Sequence, residues 1–362
     1  YLRKARPQEP LPDRWLQGTR RVADAFVRLW ETRGQFGQFV NTDTGDLLVG
    51  GSASAAIAPA GLALAARVLG DPRYLAVASA AADAYDAHYT LRGFTTGGPG
   101  EILQCPDSES AFGLLESFVT LYEETREARW LEKACRQADL CATWCVSYDY
   151  RFPPDSTFGR LDMRTTGTVY ASVQNKHSAP GICTLSGDSL LRLYRATGES
   201  RFLELLRDIA ASLPQYLSRE DRPIGSPDGR AMPPGWMNER VEMSDWLEPI
   251  GEIFHGSCWC EVSLMLTFLD LPGLHVLLDT DQVTVFDQVD VRVASTDPDR
   301  LVLEVANPTP FDARVRVLAE TRAGMAMPLD RLACLDWPVV DTPAGAVRLL
   351  SFSRTTGGID PA

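Results

Sequence analysis

The chain has 362 residues, enough for one large domain and a smaller companion, with 45% apolar and 23% charged residues, the balance of an ordinary globular protein. Its net charge of −13 argues against nucleic acid as a partner, which calls for a basic face. No apolar run approaches the roughly 18 residues that a membrane-spanning helix needs, so no membrane partner is expected.

Pro7, Pro10 and Pro12 make an extended lead-in, and a helix is predicted from Asp13 to near Gly34 on the spacing of Trp15, Val22, Ala25, Phe26 and Leu29. A polar loop, Gln35 to Gly51, leads into a helical hairpin of Ser52–Leu69 and Pro72–Tyr89. Thr95 to Gly100 is flexible punctuation. A second hairpin pairs a helix opening at Pro106-Asp107-Ser108-Glu109 and ending near Thr125 with one over Ala128–Ser147. A third spans Gly181 to Tyr216, and a lone helix runs from about Glu252 to Leu269, giving eight or nine long helices. Beyond Leu271-Pro272-Gly273 the pattern turns to strands at Val283–Phe286, Val289–Val293, Leu301–Val305, Ala313–Val317 and Val347–Ser353.

The three hairpins share a turn: Gly70-Asp71-Pro72-Arg73-Tyr74-Leu75, Arg126-Glu127-Ala128-Arg129-Trp130-Leu131 and Gly198-Glu199-Ser200-Arg201-Phe202-Leu203. Each reads acid-x-Arg-aromatic-Leu, and Asp83 and Asp139 follow the first two arginines by ten residues. The arginines stand 56 and 72 residues apart (73 to 129 to 201), so the connections between hairpins differ in length, not the hairpins. Those connections, roughly Thr90–Pro106, Ser147–Ser178 and Ser218–Gly251, are long and rich in Trp, Tyr, Asn, Glu and His. Loops of that length inside a compact domain are commonly functional, which places the working site at their end of the array.

The repeated hairpins, the polar long loops and the trailing strands resemble the (α/α) toroid carbohydrate-active enzymes, a superfamily of six-hairpin glycosidases and polysaccharide lyases. The resemblance covers about Asp13 to Leu269. It implies an (α/α) toroid, complete or incomplete, over residues 1–271, a small antiparallel β-sandwich over 272–362, and a carbohydrate substrate.

Glycoside hydrolysis needs one carboxyl group to protonate the leaving oxygen and a second to activate water or attack the sugar. Asp107 and Glu109 open a helix at the long-loop end, although capping also accounts for Asp107. Glu239, Glu242, Asp245 and Glu248 form a second acidic cluster beside Trp236 and Trp246, whose faces suit sugar rings. Glu239 is the preferred partner for the first pair. Trp259 and His255, on the last helix, are further substrate-binding candidates. The competing chemistry is β-elimination from a uronate, with Tyr170 or His177 as base and Asn175 with Arg164 or Lys176 neutralising the carboxylate. An inert helical repeat binding glycans or proteins on the same face is the third alternative.

No cofactor is expected, because no phosphate loop, dinucleotide fingerprint, His-Glu-x-x-His or nucleophile elbow occurs. No metal is expected either. Cys258 and Cys260, with His255 and Glu261 nearby, sit two apart and so point to different helix faces. The eight cysteines include several at apolar helical positions, which favours free thiols and a reducing, cytoplasmic compartment.

Overall fold

A computed structural model describes residue 6 and residues 8–183, 185–225, 229–254, 259–330 and 332–361. Among them stand eight long helices: α1 (Asp13–Arg33), α2 (Ala58–Leu69), α3 (Pro72–His88), α4 (Ser108–Thr125), α5 (Ala128–Ala142), α6 (Asp188–Thr197), α7 (Ser200–Ser212) and α8 (Trp259–Asp270). No helix among the described residues is long and apolar enough to cross a membrane.

The contacts explain the repeated turn. Each arginine reaches back to the acid two residues before it: Arg73 to Asp71 at 2.8 Å, Arg129 to Glu127 at 2.6 Å and Arg201 to Glu199 at 2.7 Å. Each also reaches the preceding outer helix, at Asp24 (3.7 Å) on α1, Asp83 (2.7 Å) on α3 and Asp139 on α5. The aspartate ten residues beyond one arginine is therefore the acceptor for the next. The guanidinium of Arg129 lies 4.1 Å from the Trp130 ring and that of Arg201 4.3 Å from Phe202. Tyr74, Trp130 and Phe202 are all fully buried. Truncating a buried Phe or Trp costs about 3–5 kcal/mol, against about 0.2–1 kcal/mol for an exposed ion pair. The aromatic residue is the anchor, and the ion pairs set the spacing from one hairpin to the next.

On the inner side α2 packs on α4 and α4 on α6. Helix α4 is buried from Ser108 to Leu121 apart from Glu109. Arg192 of α6 holds three carboxylates there: Glu116, Glu123 at 2.7 Å and Asp188 at 3.0 Å. Helix α8 is tied to the segment before α6 by Ser263 Oγ donating to Ile182 O at 2.7 Å and Thr267 Oγ1 to Ser186 O at 3.2 Å.

Several boundaries differ from the sequence reading. Helix α2 starts at Ala58 rather than Ser52, because Pro59 fits only the first turn, where its missing N–H is not needed. Helix α5 stops at Ala142 because the chain beyond it pairs with residues 167–170, through Val146 N to Thr168 O and Tyr170 N to Trp144 O. Helix α6 starts at Asp188, after Gly181 and Gly187 have turned the chain through positive φ.

Two short pairs, β1 (Phe39–Val40) with β2 (Leu47–Val49) and β3 (Val169–Tyr170) with β4 (Ser178–Ala179), lie in the loops. The C-terminal strands are β5 (Leu274–Leu277), β6 (Gln282–Val285), β7 (Asp290–Thr296), β8 (Arg300–Ala306), β9 (Ala313–Glu320), β10 (Val339–Thr342), β11 (Val347–Ser353) and β12 (Ile359–Pro361). They form two four-stranded sheets, ordered β10-β9-β5-β6 and β12-β11-β8-β7. Leu274, Val276, Val315 and Val317 of one share a core with Leu301, Leu303, Val305 and Phe352 of the other. One sheet is mixed rather than antiparallel, since β5 pairs parallel with β9. Glu320 on β9 joins this region to the helices, 2.7 Å from Arg195 of α6 and 2.8 Å from His275 of β5.

Candidate active site

The long loops meet at the N-terminus of α4. Asp107 caps that helix: its Oδ1 accepts from Ser110 N at 2.7 Å, and its Oδ2 from Ser110 Oγ at 2.8 Å and Gly98 N at 3.0 Å. Gly98 has to be glycine here, since a Cβ would stand 2.4 Å from Asp107 Oδ1 and 2.7 Å from Ser110 N. The next loop joins in through Ser108 N and Oγ, which both donate to Ala171 O. The Asp107 carboxylate is fully buried and occupied by capping. Burial nonetheless raises its pKa against the pull of those hydrogen bonds.

Glu109, in the first turn of the helix, is half-buried. Burial first, and then the Asp107 charge, push its carboxyl up to about 7, opposed by a hydrogen bond with the Cys183 thiol. Burial raises Cys183 in turn, reinforced by Glu109 and by the charge of Glu239. Glu109 from α4 and Glu239 from the Ser218–Gly251 loop therefore bear on the same thiol. Cys260 on α8 reaches the same segment, its Sγ donating to Glu239 O at 3.4 Å.

The segment carrying Glu239 is held by the fully buried Asn238, whose Oδ1 accepts from Phe254 N at 2.9 Å and whose Nδ2 donates to Arg240 O. The Arg240 guanidinium lies 3.8 Å from the Phe254 ring, 6.0 Å from the Trp246 ring and 3.9 Å from Glu239. Its Nε and Nη1 are buried without hydrogen-bond partners. His177 stacks near Trp246, with centroids 6.5 Å apart. Its Nδ1 lies 3.0 Å from Ser178 O, so that nitrogen carries the proton and donates, leaving a buried, unpartnered Nε2. Burial lowers its pKa to about 4, so the ring is neutral at neutral pH.

Glu242 is fully buried, with neither carboxyl oxygen hydrogen-bonded. Burial first, then the charges of Glu248 and Glu239, raise it to about 7 despite Arg240. A folded-state pKa above the ordinary 4.5 means that the folded chain holds this proton more tightly than the unfolded chain. The stability it confers is complete below 4.5 and is lost as pH rises through about 7. Glu242→Gln is expected to melt with the wild type near pH 5 and clearly above it near pH 8. An equal gap at both pH values would show that the carboxyl is not held neutral.

The other sequence candidates are more scattered. Asp245 and Trp246 are exposed beside this cluster. Trp236 and Trp259 are half-buried against a core built on Phe158, Tyr216 and Met237. Tyr170 stacks on Trp144, with centroids 6.4 Å apart. Asn175 sits in a turn, its N–H donating to Ser172 Oγ at 2.9 Å. Arg164 is exposed, and its charge acts on Asp149. His255 and Cys258 lie outside the described residues. Arg240 and the two thiols, Cys183 and Cys260, were not singled out for these places. Cysteines at apolar positions read as core, and only the fold brings them between two glutamates.

A small cavity of about 70 Å³ opens on Glu109 between Gly98, Ser54 and Leu185. A larger cavity, about 950 Å³, shares the walls Ser54, Ile57 and Leu185 with it, but is mostly apolar and does not include Glu109. Glu109 thus stands beside the walls the two cavities share, outside the larger one.

No protein-family description matches the chain, and no curated protein does. Among solved structures it is similar to the unsaturated glucuronyl hydrolase of Bacillus sp. GL1, described as responsible for the degradation of glycosaminoglycan. The identity is 17%, over 68% of this chain and 65% of that one, with a TM-score of 0.43. It is also similar to a polysaccharide lyase, at 14% identity over 60% of this chain and 59% of that one, with a TM-score of 0.35. The chain thus spans less than two thirds of the length of these proteins, and a likeness of this degree is one of chain arrangement alone.

Proposed function

We propose that the protein hydrolyses a glycosidic bond, with Glu109 as proton donor and Glu239 as the second carboxylate. The observation that carries this reading is the convergence of the two on Cys183 at the long-loop end, with Glu109 held at about 7. A carboxylic acid that keeps its proton near neutrality is what a leaving glycosidic oxygen requires, and a second carboxylate activates water or attacks the sugar. Asp107 acts by position, aiming α4 and keeping Glu109 protonated. The faces of Trp246 and Phe254, and the fork of Arg240, supply the surroundings for a polyhydroxyl ligand. The residues of the elimination alternative are less well gathered, since Tyr170 is stacked on Trp144 and Arg164 faces Asp149.

The test is a panel of neutral and uronate-containing oligosaccharides, read for reducing ends and near-ultraviolet absorbance together. Hydrolysis releases reducing ends without absorbance. Absorbance from an unsaturated product would replace this reading with β-elimination, and silence on every glycan would remove the enzymatic reading.

A further inference from the structure

A second cavity at the same end of the array, about 460 Å³, lies on the outer side of the strip Thr96–Gly98. Its wall includes four aromatic residues, Trp30, Tyr85, Tyr89 and Phe94. The Tyr85 and Tyr89 centroids are 6.1 Å apart at an interplanar angle of 40°, and Tyr89 meets Phe94 at 6.4 Å and 86°. Arg92 lies 6.0 Å from the Phe94 ring. Thr96 on this wall is 5% exposed, and its Oγ1 is buried without a hydrogen-bond partner. Gln104 lies on the wall, and no Asp or Glu does, in a chain of net charge −13.

A buried hydroxyl without a partner is costly unless a ligand or water completes it. The aromatic rings lie tilted or edge-to-face, so they form no parallel slot for a flat heterocycle. They do offer faces to the C–H side of a pyranose, while Thr96 and Gln104 can meet its hydroxyls. The cavity adjoins the candidate site, because Gly98, two residues from Thr96, donates to the cap of the helix carrying Glu109.

We propose that this cavity is a sugar-binding subsite that holds a pyranose unit of the glycan away from the bond cleaved at Glu109. Binding stands on the cavity alone; that the same glycan reaches both places rests on the hydrolase reading.

The test uses Glu109→Gln protein, which holds ligand without turnover. Saturation-transfer NMR is recorded with the methyl glycosides of glucose, galactose, mannose, xylose and glucuronic acid at millimolar concentration, and with adenosine as the planar probe. At least one glycoside is expected to bind. Adding Tyr89→Ala or Thr96→Val is expected to weaken it by about tenfold, the loss of one aromatic face or one buried hydrogen bond. Thermal melts check the fold, and exposed His88→Ala serves as a rim variant should Tyr89→Ala fail to fold. Binding of adenosine in place of the sugars, no binding at all, or binding unchanged by the cavity variants would each overturn the proposal. Sugar binding that the cavity variants weaken, in a wild-type protein that turns over no glycan, would keep the subsite and remove the hydrolase. Turnover of long glycans with a KM unmoved by Thr96→Val would do the reverse.

Discussion

Glu109→Gln is expected to lower kcat on the cleaved glycan by about 10²–10⁴-fold with little change in KM, because it removes the proposed proton donor and leaves the shape of the site. The pH profile carries more information than the rate. With Glu109 at about 7, wild-type activity falls as pH rises through that value and the donor loses its proton. Two neighbours displace this limb in opposite directions. The Cys183 hydrogen bond favours the ionised carboxyl, so Cys183→Ala moves the limb to higher pH. The Asp107 charge opposes ionisation, so Asp107→Asn moves it to lower pH, along with some loss of stability from the weakened cap. A Glu109→Gln enzyme of wild-type activity would end the assignment. A limb that ignores both neighbours would show that it belongs to another group.

The hairpins were legible because their information is local. Acid, arginine, aromatic and leucine fall within six residues, and the aspartate that receives the next arginine recurs at a fixed offset. What the sequence hid was non-local. Strand β5 follows Pro272-Gly273 like the end of a linker, and its partner β9 lies about forty residues on in a parallel pairing. The site divides in the same way. Asp107 and Glu109 could be placed from the cap signal alone. The meeting of Glu109 with Glu239 over Cys183 joins three segments that no periodicity connects. The tryptophans misled for a related reason: Trp236 and Trp259 share the composition of a sugar platform, yet spend much of their surface on the core.

Arg192→Met is expected to destabilise the helical array by about 3–5 kcal/mol, because it removes the cation around which Glu116, Glu123 and Asp188 gather. Arg192 is 4% exposed, and although burial works against its charge, those three carboxylates hold it protonated. Methionine nearly fills the same volume, so the loss reports stranded charge rather than a cavity. Arg201→Met is the internal comparison: it also breaks a contact between helices, but Arg201 and Asp139 are half exposed, and a loss below about 1 kcal/mol is expected. Urea unfolding of both variants decides the point, and equal losses would mean that the Arg192 cluster is no more than a surface ion pair. Combining Arg192→Met with Glu116→Met should recover part of the loss, since the two residues share one interaction. The consequence reaches the active end, because the cluster fixes α4 against α6. Helix α4 presents Glu109 at its first turn, and Cys183 stands just before α6. A variant in which that packing loosens should therefore lose the Glu109 pH limb before it unfolds, linking the buried arginine to the proposed proton donor through one helix.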